Sequence, residues 1–125
     1  MLAYLRDEGG AERVAEALGD GAVMSAVNWA EVLSKVTDLG EDADALEAHL
    51  VAEGLIGSAL EIVPLEPRDA AAIARLRPAT RAAGLSLGDR ACLALAARLA
   101  LPALTADRTW IGLGLGAEVE PIRER

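Results

Sequence analysis

The sequence predicts an α/β fold, a parallel sheet flanked by helices on both faces, on three observations. Short apolar runs of strand length, at 22–25, 60–65 and 103–105, alternate with longer stretches whose apolar residues recur at helical spacing. Strands separated by helices need crossover connections, which make neighbours parallel and bury both faces of the sheet. Three segments, Asn28-Trp29-Ala30-Glu31-Val32, Ser86-Leu87-Gly88-Asp89-Arg90-Ala91 and Leu104-Thr105-Ala106-Asp107-Arg108-Thr109-Trp110, also place an acid where a strand meets a helix or just inside one. In an open α/β sheet the carboxyl ends of the strands form the ligand crevice, so acids delivered there from distant segments can converge on a metal ion.

The elements follow in order. Leu2 to Leu18 reads as a helix interrupted at Gly9-Gly10, with Ala11, Val14, Ala15 and Leu18 on one face and Gly19-Asp20-Gly21 as its end. Ala22 to Ser25 is a short buried strand. Val27 to Leu39 repeats apolar residues at 29, 32, 33 and 36 and stops at Gly40. Asp42 to Leu55 is a helix bearing Leu46, Leu50 and Val51, expected to form a hairpin with the helix before it. Leu60 to Leu65 is the next strand. Pro67 suits the first turn of a helix whose body is Ala70 to Leu76 and which Pro78 breaks. A short helix spans Thr80 to Ala83, and Ser86 to Ala100, rich in Ala and Leu, is a helix ended before Pro102. Ala103 to Thr105 is a strand, Trp110 to Leu113 a helical turn, and Glu118 to Ile122 the last strand.

Composition narrows the class. The 125 residues fit a single domain, here 1–125, and 53% hydrophobic content is too high for a disordered chain. No apolar run approaches the roughly 18 residues of a membrane span, and the opening Met1-Leu2-Ala3-Tyr4-Leu5-Arg6-Asp7-Glu8 is charged too early for a signal peptide, so a cytoplasmic location is expected. Cys92 is the only cysteine, which excludes an intrachain disulfide and a multi-thiolate zinc site; its neighbours Ala91, Leu95, Ala96 and Leu99 read as core. The only histidine, His49, lies in a polar helical stretch and reads as a surface residue. A net charge of −8 argues against a broad electrostatic grip on nucleic acid. That objection weakens where carboxylates surround a divalent ion, because the metal inverts the local sign. Eleven of the twelve basic residues are Arg, the side chain suited to bidentate phosphate contacts.

Each acid also has a purely structural reading. Glu31 stands four residues before Lys35, the spacing of an exposed helical ion pair contributing about 0.3–0.5 kcal/mol. Asp89 stands three residues after Ser86, the spacing of a capping box. Asp107 suits a turn or cap. Their shared location at one edge of the sheet is what a metal site requires. Mg²⁺ keeps several waters, so two or three carboxylates with a substrate phosphate suffice, and such ions activate water in phosphodiester cleavage.

At these residues the chain resembles the PIN-domain ribonucleases, and most closely the VapC-like toxins of type II toxin-antitoxin systems. The segments Leu85 to Ala96 and Leu104-Thr105-Ala106-Asp107 carry the most specific likeness, with Ser25 to Val36 similar to the family's second-strand and helix segment and Ala3 to Glu8 to its first helix. The resemblance implies a PIN-like three-layer sandwich with a central parallel sheet. It also implies a Mg²⁺ or Mn²⁺ dependent endoribonuclease, with RNA as substrate, a cognate antitoxin as partner and a homodimer as assembly. Glu31, Asp89 and Asp107 match three members of the family's acidic quartet as catalytic and metal-binding residues. Asp89 and Asp107 are expected as direct ligands, Glu31 as a ligand or as a group acting through water. Asn28 and Thr105 are expected beside them, and Ser86 as a helix cap.

The likeness departs at the front. The family has a hydrophobic strand ending in an Asp before the segment that here begins Met1-Leu2-Ala3-Tyr4, and the sequence contains neither. That strand is central, so its loss leaves its neighbours about 9–10 Å apart with unpaired backbone on both. A start assigned too far downstream is the favoured explanation, against a truncated inactive copy or a gap filled by a partner. A second reading of function is therefore carried: a non-catalytic PIN-like module that binds an antitoxin or another copy of itself, with Trp29, Trp110 and the Leu50 to Leu60 region as contact surfaces.

Overall fold

The computed structural model describes residues 10–122, and the expected helical start and first-helix likeness at residues 2–9 lie outside them. The chain divides into two compact units, Met1–Pro64 and Leu65–Arg125.

In the first unit, helix α1 (Ala11–Asp20) buries Val14 and Leu18 and runs through Gly19 and Asp20, closing only at Gly21, whose φ of 88° suits a residue without a Cβ. Strand β1 (Ala22–Ser25) passes directly into α2 (Ala26–Asp38), and α3 (Ala43–Ala52) returns before β2 (Leu60–Val63). β1 and β2 are parallel, with Ala22 opposite Leu60 and Ser25 opposite Val63. The two intervening helices make the crossover that a parallel pair needs. Their apolar stripes meet as the expected hairpin: Trp29, Val32 and Leu50 are buried together against Leu33, Leu46 and Ile62. The Trp29 indole N–H donates to Glu47 Oε1 at 2.9 Å, so the ring is a core residue with its polar edge satisfied from α3.

In the second unit, α4 (Pro67–Arg75) and a single turn, α5 (Arg77–Thr80), precede α6 (Leu87–Leu99). Pro78 sits in the first turn of α5, so it opens that turn where the sequence places a break, and the short helix falls three residues earlier than Thr80 to Ala83. β3 (Ala103–Thr105) and β4 (Val119–Pro121) are parallel, with Ala103 opposite Val119. Between them lie a 3₁₀ turn, Arg108–Trp110, in place of the turn expected at Trp110 to Leu113, and a loop with Gly112, Gly114 and Gly116 at positive φ. The core joins Leu85, Leu93, Ala96, Ala103, Trp110 and Leu115, with Cys92 partly buried against it.

Among the described residues the strands form two parallel pairs, β1 with β2 in the first unit and β3 with β4 in the second. Among the described residues no strand pairs with the second edge of β1 or of β3. No described helix is long and apolar enough to cross a membrane.

Candidate metal centre

Glu31 belongs to the first unit. It is exposed on α2, and its Oε1 accepts a hydrogen bond at 3.1 Å from the side-chain amide of Asn28, one turn earlier. Asn28 is itself held by Ser25, the N-cap of α2, which is 1% exposed: Ser25 Oγ donates to Asn28 Oδ1 and accepts from the Asn28 backbone N–H at 3.0 Å. A buried hydroxyl at the end of β1 thus orients an amide, which orients the carboxylate. Among the described residues Glu31 makes no ion pair with Lys35, so the exposed i,i+4 pairing gives way to this relay.

Asp89 and Asp107 belong to the second unit. Asp89 completes the capping box: the Ser86 hydroxyl accepts from the Asp89 backbone N–H at 3.1 Å, and Asp89 Oδ2 accepts from the Ser86 backbone N–H at 2.8 Å. The box fixes the carboxylate rotamer at the start of α6, where the positive end of the helix dipole favours an anion.

Asp107 stands two residues beyond β3, exposed, and caps the 3₁₀ turn. Its Oδ1 accepts from Thr109 Oγ1 at 2.7 Å and from the Thr109 backbone N–H at 2.9 Å. These two bonds, the hydroxyl first, hold its carboxyl below the ordinary carboxylate range against partial desolvation. The buried Trp110 indole N–H, which makes no hydrogen bond among the described residues, lowers it least. Thr105, 7% exposed, accepts the Asp107 backbone N–H at 2.9 Å and so sets how the chain leaves β3.

One further charged group organises this unit. Asp69, 2% exposed on α4, receives Arg98 Nε at 2.9 Å, Arg98 Nη2 at 3.1 Å and the Glu66 backbone N–H at 2.8 Å. The backbone bond to Glu66 is the chief cause that lowers its carboxyl, opposed by burial and helped by Arg98. Arg90, next to Asp89, donates from Nη1 to the Ile73 carbonyl at 3.1 Å. Both contacts lock α6, and the acid at its start, onto α4. Sequence reasoning missed this pair because its members lie 29 residues apart and share no local pattern. It also missed Ser25 and Thr109, though each lies within three residues of an expected site residue.

As donors the three acids suit a hard divalent cation: all supply oxygen, and in each the second oxygen (Glu31 Oε2, Asp89 Oδ1, Asp107 Oδ2) makes no hydrogen bond among the described residues. Among the described residues no three His, Cys, Asp or Glu side chains are gathered closely enough to form a ready-made metal site. A cavity of about 280 Å³ lies elsewhere in the second unit, lined by Trp110, Leu113, Leu115, Val119 and the glycine loop, and offers no titratable side chain.

The sequence profile of the PIN domain matches residues 1–113. The chain belongs to the PIN-domain family. PIN domains are in general metal-dependent nucleases. No curated protein and no solved structure matches this PIN domain significantly.

Proposed function

We propose that this PIN domain is a metal-dependent endoribonuclease, the toxin component of a type II toxin-antitoxin pair, acting on RNA phosphodiester bonds and working as a homodimer in the cytoplasm. The observation that carries the reading is family membership together with Asp107, an acid just beyond a strand end whose carboxylate is oriented by Thr109 of its own turn. Asp89 and Asp107 would hold Mg²⁺ or Mn²⁺, with Glu31 as a further ligand or acting through water; when bound, the ion supplies an activated water and offsets the charge of the phosphodiester. The chain's own residues do the positioning. Ser86 clamps Asp89, Thr109 holds Asp107 as the anion, Thr105 sets the Asp107 backbone, and Ser25 orients Glu31 through Asn28.

A second reading is a catalytically impaired module that binds an antitoxin or another copy of itself. One experiment separates the two. Cleavage of a mixed structured-RNA panel is measured for the unchanged chain and for Asp89→Asn, with Mg²⁺, with Mn²⁺ and with EDTA. Asparagine keeps an acceptor for the Ser86 N–H, so the helix start survives while the charge is lost. Metal-dependent cleavage that falls by about 100-fold or more in Asp89→Asn supports the nuclease. A folded unchanged chain that leaves every RNA intact under all conditions overturns it in favour of the binding module.

A further inference from the structure

Charge is divided unevenly along this chain. Residues 1–64 carry thirteen acids against three bases, a net of −10, whereas residues 65–125 carry seven acids against nine bases, a net of +2; together they account for the overall −8. The second unit holds several of its cations with partners of its own. Arg98 is taken by Asp69, Arg68 by Glu66, and Arg90 by the Ile73 carbonyl.

Arg75, Arg77 and Arg81 are treated differently. All three are exposed, and among the described residues none makes an ion pair or a side-chain hydrogen bond. Arg77 and Arg81, the first residue of α5 and its C-cap, lie one helical turn apart, with the Arg81 N–H bonded to the Arg77 carbonyl at 3.0 Å. Like charges at this spacing repel and destabilise the turn that carries them. The patch also leads straight to an acid of the candidate site: the Arg81 carbonyl accepts from Gly84 at 3.1 Å, the Thr80 carbonyl from Leu85 at 3.3 Å, and the next residue, Ser86, clamps Asp89. Arg90 binds this start of α6 to Ile73, two residues before Arg75.

We propose that Arg75, Arg77 and Arg81 form the surface that binds the phosphodiester backbone of a single-stranded RNA and leads it to Asp89. The inference rests on RNA being the substrate. Guanidinium groups match phosphate oxygens in a bidentate fork, and a strand of regularly spaced phosphates relieves the repulsion among the three cations. Among the described residues the aromatic side chains are Trp29 and Trp110, and both are buried, so neither can stack on a base. The surface therefore reads backbone and tolerates any base sequence.

The test is equilibrium binding of a fluorescein-labelled oligouridylate, in EDTA so that nothing is cut, across a salt series. The unchanged chain is compared with the triple variant R75A/R77A/R81A and with Lys35→Ala, a control in the acidic unit. Each phosphate contact adds about 0.7 to the slope of log affinity against log salt for a single strand. The triple variant is expected to show a slope shallower by about 2, so that a tenfold rise in salt weakens the unchanged chain about 100-fold more than the variant. Lys35→Ala should leave the slope unchanged. Equal slopes for the unchanged chain and a folded triple variant would overturn the proposal, and a variant altered only in self-association by sedimentation would reassign the patch to contact with the acidic unit of a second copy. A chain that fails to bind RNA at any salt refutes both the surface and RNA as substrate. Salt-sensitive binding lost in the triple variant, with no cleavage in Mg²⁺ or Mn²⁺, supports the surface and rejects the nuclease.

Discussion

Removing the carboxylate of Asp69 should unfasten the helix that presents Asp89. Asp69 is 2% exposed and receives three hydrogen bonds, two of them from an Arg98 side chain that is itself only 16% exposed. Asp69→Ala leaves that guanidinium partly buried and the Glu66 N–H without its partner. Breaking a buried pair from one side costs about 3–5 kcal/mol, because the remaining charge stays desolvated. Glu66 Oε1 stands 3.7 Å from Arg98 Nη1 and can take up part of that charge, so the lower end, about 3 kcal/mol, is expected. Arg98→Met should cost at least as much, about 3–5 kcal/mol, since it strands the more deeply buried Asp69 carboxylate with only its backbone bond to Glu66. The assay is urea unfolding in a Trp29→Phe background, so that the fluorescence of Trp110 reports the second unit alone. The folded-state carboxyl of Asp69 is depressed, so its stabilisation is fully present above the ordinary carboxylate range and is lost as pH falls through the folded value. The difference between parent and Asp69→Ala should therefore shrink on acidification below about pH 4. A loss under 1 kcal/mol at neutral pH, or a difference that grows in acid, would refute this account of the pair.

Three further outcomes follow from local contacts. Thr109→Val removes the first cause of the low Asp107 carboxyl, so the Asp107 titration followed by NMR should move up toward the ordinary carboxylate range; an unmoved titration would mean the hydroxyl does not hold the anion. Ala100 closes α6 with φ 54° and ψ 42°, so Ala100→Gly should raise stability by about 1 kcal/mol in thermal unfolding, whereas a loss would place the strain elsewhere. Ser86→Ala deletes the hydroxyl of the capping box and should lower stability by about 1 kcal/mol, read by urea unfolding, with Ser86→Asn close to the parent.

Much of the candidate site was legible because its signals are local. The Ser86 to Asp89 spacing states a capping box, and the box is there. Asp107 after a three-residue apolar strand reads as an acid at a strand end, and it stands two residues beyond β3. Element types along 11–122 followed from apolar periodicity and from Gly and Pro positions. Boundaries moved where competing effects were close in size: Pro78 opens a helical turn as readily as it breaks one, and Gly19 stays inside α1 because the chain can close at Gly21.

By itself the sequence determined which segments are helix and strand, which residues are apolar enough for a core, which acids lie at strand and helix ends, and membership of a nuclease family. Those properties depend on neighbours within a few residues. Only the tertiary structure decided that the described strands pair as β1 with β2 and β3 with β4, that Asp69 and Arg98 bury their charges together, and that Arg75, Arg77 and Arg81 are left exposed without a counter-charge among the described residues. Strand pairing, desolvation and charge neutralisation each depend on groups far apart in the chain, whose meeting is set by the packing of whole elements.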